Sequence, residues 1–246
     1  MKKSCARAGI VMAARERYSA MCDACEALLR HTPPNVPIIA VMPNPPTHVE
    51  RSIREFDRDG RIKLLVRPDV GSQNEQRNMA LAELGNVDYV AFLDNDVQVP
   101  AGWLDGLIAA SVARDAALVG PIYLEDRWGR RLVHMSGGDL PREMREDGAI
   151  DLGEHHRDIH AEIRQAKIGP TASRLRGPPT SPYEVEFLEF HCLLARAYAL
   201  RAIGRFDAEI STGAGVDFCL SVAKAGGRIV VQPAVHVTHP DFTGYE

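Results

Sequence analysis

The chain has no apolar run near the about 20 residues that a membrane-crossing helix needs, so no such span is expected. It has no excess of positive charge either. Lys and Arg number 29 against 33 Asp and Glu, a formal net charge of −4. A broad basic surface for nucleic acid is therefore not expected. A regular cysteine framework is also lacking. Cys5, Cys22, Cys25, Cys192 and Cys219 are odd in number and scattered, which fits a reducing cytoplasm. Cys22-Asp-Ala-Cys25 is formally a CxxC, but it falls within an expected helix and has no second pair. Packing or surface thiols are expected there rather than redox or metal chemistry. No internal repeat or low-complexity segment stands out. The basic start, MKKSCARAGIVMAARERYSA, holds only a short apolar stretch, broken by Arg15, Glu16 and Arg17. It is expected to form a first strand rather than a signal peptide.

What is present is an α/β pattern. With 246 residues, 45% of them apolar and 25% charged, the chain suits one large domain or two small ones. Apolar runs at Ala8–Ala13, Val36–Met42, Ile62–Val66, Tyr89–Asp94 and Ala116–Leu124 predict strands. Helix-spaced segments separate them: Ser19–Arg30, Thr47 to Asp57, Ser72–Leu84 and Pro100–Arg114. This alternation predicts a parallel sheet wound with helices. Beyond it, Asp139–Pro182 is polar and rich in Gly and Pro, as a functional loop or lid would be, with a short helix expected at His160–Ala166. A strand is expected at Glu184–Leu194, helices at Arg196–Ile203 and Asp217–Ala225, and short strands at Arg228–Val231 and Val235–Thr238.

The most informative stretch is Val87–Pro100, VDYVAFLDNDVQVP. An apolar run suited to a strand buried on both faces ends in Asp94-Asn95-Asp96. Ligands of open α/β sheets bind at the carboxyl ends of strands. Two adjacent carboxylates repel unless a positive group joins them, and a divalent cation carrying a diphosphate would serve. A plain acidic turn is the competing reading.

Further motifs resemble family 2 glycosyltransferases of the GT-A fold. They are Gln76-Arg77-Asn78-Met79-Ala80-Leu81, Gly204-Arg205-Phe206-Asp207, Val216-Asp217-Phe218-Cys219-Leu220, Ala225-Gly226-Gly227, Gln232-Pro233 and His239. The resemblance spans nearly the whole chain. It implies a single Rossmann-like domain over 1–246, with a mostly parallel sheet flanked by helices and a smaller mixed acceptor-side part. Residues 1–125 would bind the nucleotide sugar, 126–182 would form a variable loop region, and 183–246 the acceptor-side half.

The implied activity is metal-dependent, inverting transfer of a sugar from a nucleotide-diphosphate donor, such as a UDP-sugar, to a hydroxyl of a glycan or other acceptor. Mn²⁺ or Mg²⁺ would offset charge on the leaving diphosphate. Asp96 is the expected direct metal ligand. Asp94 is expected at the ribose hydroxyls or a metal-bound water, with Asn95 making the turn. His239 matches the family's C-terminal histidine, and His236 is its rival; an imidazole suits Mn²⁺ better than Mg²⁺. Arg77 is expected near the nucleotide, as are Ala14, Arg15 and Glu16.

Two departures stand out. Met42 occupies the place of an acid that helps bind the base. Ala214 and Gly215 occupy the place of the acidic pair that supplies the general base. Asp217, His191 and Glu189 are the residues that could take over that role. A donor-binding or scaffold protein without turnover is the alternative function. A nucleotidyltransferase is the third, but no Gly-rich phosphate loop of that type follows the first strand.

Overall fold

The computed structural model describes residues 6–14, 17–69, 71–127, 130–145, 147, 150–157 and 180–240. The first half alternates as expected: β1 (Ala8–Ala13), α1 (Met21–His31), β2 (Ile38–Pro43), α2 (Thr47–Phe56), β3 (Ile62–Arg67), α3 (Gln73–Leu84), β4 (Tyr89–Asp94), α4 (Trp103–Arg114) and β5 (Ala116–Arg127). Every residue of β1, β2 and β4 is buried, which is why these runs are continuously apolar. Helix α3 starts where Ser72 accepts a hydrogen bond from the Glu75 amide and stops at Gly85, whose φ of 74° suits glycine.

Short elements follow: β6 (Arg130–Met135), β7 (Gly138–Asp139), β8 (Arg142–Met144), β9 (Ile150–Leu152), β10 (His155–His156) and β11 (Tyr183–Glu184). The chain then returns through β12 (Cys192–Arg196), α5 (Ala197–Ile203), α6 (Ala214–Lys224) and the long β13 (Arg228–Pro240). One sheet runs β11-β13-β5-β12-β4-β1-β2-β3, with β6 on β5. The β3-β2-β1-β4 part is parallel. Strand β12 lies antiparallel between β4 and β5, and β13 is parallel to β5. Because β2 and β4 flank β1 on opposite sides, the winding reverses there. The carboxyl ends of β1 and β4 border the crevice that such a reversal creates.

Several expectations shift. The segment Glu184–Leu194 is not one strand. Between β11 and β12 the chain leaves the sheet, held by the Tyr123 hydroxyl, which donates to the carbonyls of Glu189 and Cys192. Helix α6 begins at Ala214, behind Gly213 at φ 70°, rather than at Asp217. The two expected C-terminal strands are one strand, irregular between Val231 and His236. Within Asp139–Pro182, β8 pairs with β9 and β10 pairs with β7. The helix expected at His160–Ala166 lies outside the described residues. Cys22 and Cys25 both lie in α1, and burial pushes the Cys25 thiol up to about 12, so it is protonated and inert near neutrality. Among the described residues, no helix is long and apolar enough to cross a membrane.

The core reaches directly under the crevice. Phe92 of β4 meets Phe190 and Phe206 edge-on, each with ring centroids 5.5 Å apart, the geometry that aromatic pairs favour. Phe190 belongs to the segment between β11 and β12. Its burial anchors the flanking Glu189 and His191.

Candidate functional site

Strand β4 delivers Asp94, Asn95 and Asp96 to the crevice, and all three are buried. A buried carboxylate needs partners. Asp94 faces His191, with Oδ2 2.9 Å from Nδ1, and Gln73, whose Nε2 is 3.5 Å from Oδ1. Asp96 faces Arg17 at 3.3 Å, and the Asn95 amide donates to the Arg17 carbonyl. Arg17 was not among the residues expected from sequence; it lies four residues beyond the end of β1. Arg15 and Glu16 lie outside the described residues. Ala14 is buried at the end of β1, where its amide donates to Val41.

The end of β13 reaches the same place. Gln98 and Thr238 exchange backbone hydrogen bonds of 2.8 and 3.1 Å, tying β13 to the chain just beyond Asp96. His239 is buried, and among the described residues its Nε2 has no hydrogen-bond partner. Burial, with His191 and His134 nearby, lowers its pKa against the opposing pull of Asp96 and Glu125. The ring is therefore neutral near pH 7, as a metal ligand must be. His236 is three residues away along the strand, exposed, and bound to the Pro233 carbonyl. Strand alternation puts it on the other face from His239.

A cleft of about 400 Å³ opens beside Asp94. It is lined by Gln73, Arg77, His134, Glu154, His156, Glu189, Phe190, His191 and residues 211–216. Arg77 is buried; its guanidinium donates to Asn74 and lies 3.7 Å over the Phe190 ring. Glu189 sits among three imidazoles. Its carboxylate is 3.0 Å from His191 Nε2, 3.4 Å from His156 Nε2 and 3.6 Å from His134 Nε2. Burial alone would raise its pKa, but the three imidazoles outweigh burial and hold it far below the carboxylate range. Burial likewise opposes the His191 imidazolium, yet Asp94 and Glu189 outweigh it and push that pKa up to about 10. Pairing with Glu189 also raises His156, against burial.

Asp217 is not in this cleft. It is exposed on α6 and lines a separate hollow with Arg205, Asp207 and Lys224. Its amide already bonds the Gly213 carbonyl as part of the helix, so no shift of the helix start is needed to explain its place.

The glycine at 215 acquires a steric explanation. A Cβ on Gly215 would stand 2.7 Å from the Leu188 carbonyl oxygen and 3.3 Å from Glu189 Cα. Glycine here lets the Leu188–Glu189 backbone close onto α6, and that approach carries the Glu189 carboxylate into the cleft. Restoring an acid with Gly215→Asp should therefore overpack the joint and destabilise the fold by about 1–3 kcal/mol. The midpoint of chemical denaturation reads this directly.

His134 and His156 were missed by sequence reasoning. They arrive on β6 and β10, from segments that carried no motif. The doublet His155-His156 was the one local signal available.

Asp96 and His239 have the chemistry a divalent cation would need: a buried carboxylate acts on a buried imidazole whose Nε2 makes no hydrogen bond among the described residues. Such an imidazole would favour Mn²⁺ over Mg²⁺.

Comparison with known proteins bears on this arrangement. Over 184 residues the chain is 28% identical to pre-mycofactocin glycosyltransferase of Mycobacterium tuberculosis, a stretch covering 74% of this chain but 33% of that protein. The chain thus spans about a third of the length of the curated relatives it matches. The crystal structure of GalNAc-T7 with UDP, GalNAc and Mn²⁺ superposes with a TM-score of 0.70 at 15% identity, covering 97% of this chain and 44% of that one. S. aureus TarS 1-349 superposes at 0.61 and 12% identity, covering 95% and 60%. The fold, a mostly parallel mixed sheet flanked by helices, is that of GT-A glycosyltransferases. The model of glycosyl transferase family 2 matches residues 9–168, and the chain belongs to that family.

Proposed function

We propose that the protein transfers a sugar from a nucleotide-diphosphate donor, with a UDP-sugar the first choice, to an acceptor hydroxyl on a glycan or similar molecule, with inversion. The observation that carries this reading is the buried Asp94-Asn95-Asp96 turn at the carboxyl end of β4, with Asp96 acting electrostatically on the buried His239, whose Nε2 makes no hydrogen bond among the described residues. Asp96 and His239 would hold Mn²⁺ or Mg²⁺, which supplies Lewis-acid stabilisation of the departing diphosphate. Asp94, oriented by His191 and Gln73, takes donor hydroxyls. Arg77 holds the wall between donor and cleft by stacking on Phe190.

The cleft beyond Asp94 receives the acceptor. An inverting transfer needs a proton acceptor there, and Asp217 faces elsewhere. His191 is held protonated by two carboxylates, so in the metal-free protein it has no free lone pair near neutrality. Glu189 stays ionised and serves to orient. His156, whose Nε2 faces Glu189 at 3.4 Å while its other ring nitrogen is left to accept a proton, is the proton acceptor. A carboxylate that orients an imidazole base is the division of labour seen in catalytic triads.

The test is release of nucleoside diphosphate from a panel of nucleotide sugars with Mn²⁺ and simple glycan acceptors. Release above the protein-free rate is expected for at least one donor. Tight donor binding with no release would instead favour a donor-binding protein without turnover.

A further inference from the structure

We propose that His134 Nε2, Glu189 Oε2 and His191 Nε2 form a second cation site that takes a Zn²⁺-type transition metal and leaves a fourth position open toward the cleft. It differs in its ligands from the donor site at Asp96 and His239 but adjoins it, the His239 ring centroid lying 5.2 Å from that of His134 and 5.4 Å from that of His191. These three ligand atoms lie within 4.8 Å of one another. Zinc bonds of about 2.0–2.1 Å in a tetrahedron put ligand atoms about 3.3 Å apart. The two imidazole nitrogens stand 3.6 and 3.0 Å from Glu189 Oε2, bracketing that spacing. Among the described residues this buried oxygen has close ion-pair contacts with both imidazoles but no well-aligned hydrogen bond. Two nitrogens and an oxygen converge on one point, where a cation would take the place of the imidazolium proton.

The surroundings match the chemistry. A metal-bound histidine almost always gives its other ring N–H to a carboxylate, which fixes the tautomer. His191 Nδ1 lies 2.9 Å from Asp94 Oδ2, so Nε2, which faces Glu189, is the ligand atom, and a cation takes the place of the proton there. Two imidazoles and one carboxylate suit zinc and disfavour Mg²⁺. Three protein ligands with an open position are the pattern of catalytic rather than structural zinc. A water or acceptor hydroxyl bound there would have its pKa lowered. That role rests on the transferase reading; the binding itself does not.

The test is titration of chelator-stripped protein with Zn²⁺, and with Co²⁺ for its visible absorption in four-coordinate sites. At least one ion per chain is expected in the wild type, and the ion held by the histidine cluster is expected to remain in Asp96→Ala. Losing a group that merely orients a ligand costs about 10–100-fold in affinity, so His134→Gln and His191→Gln should each cost more than that, with unchanged circular dichroism. The inference is overturned if folded wild type binds no Zn²⁺, if both glutamine variants bind as wild type, or if Asp96→Ala abolishes the binding. If Zn²⁺ binds as described but no donor is ever cleaved, the transferase reading fails and the metal site stands.

Discussion

Asp96→Ala should lower nucleoside diphosphate release by at least about 10²–10³-fold, the usual cost of removing one preorganised group that faces developing transition-state charge. The expectation follows from position. Asp96 is buried just beyond the end of β4, near enough to His239 to act on its charge, with Arg17 at 3.3 Å. Removing the carboxylate takes away one of the acids acting on His239 and weakens any shared cation. Thermal stability should change little, because no aromatic or aliphatic packing is lost. The check is steady-state kinetics across a Mn²⁺ series. Raised Mn²⁺ demand together with lost rate supports the assignment; wild-type rates at every Mn²⁺ level refute it.

Glu189→Gln should cost about 10²–10⁴-fold in transfer, the range associated with general acid–base catalysis, while donor affinity stays near wild type. The carboxylate faces His134, His156 and His191. An amide of the same shape keeps the packing but cannot stabilise an imidazolium or fix its tautomer. The split between kcat and donor Kd separates this role from a structural one. Unchanged turnover would remove the histidine cluster from the mechanism.

Much of this was legible in the sequence, for a physical reason. Strands buried on both faces must be continuously apolar, so β1, β2 and β4 announced themselves, and the acids closing β4 were contiguous with it. Gly85 and Ser72 marked the ends of α3 for equally local reasons. The cleft was not legible in the same way. His134, His156 and Glu189 come from separate segments and meet only because β6 pairs with β5, β10 with β7, and Tyr123 holds the chain ahead of β12. Antiparallel insertion of β12 between β4 and β5 also sets His191 beside Asp94. No sequence period encodes that neighbourhood. Gly215 misled for a related reason. Read alone, it is a missing acid; in the fold, it is the space that admits Glu189.

Calorimetric titration of nucleotide sugars into the protein, with and without Mn²⁺, tests the central assignment most directly. The account predicts Mn²⁺-dependent binding of at least one nucleotide-diphosphate sugar by the wild type, with that dependence lost in Asp96→Ala. Binding to none of them by folded, Mn²⁺-supplied protein, or binding indifferent to both Mn²⁺ and Asp96, would contradict it.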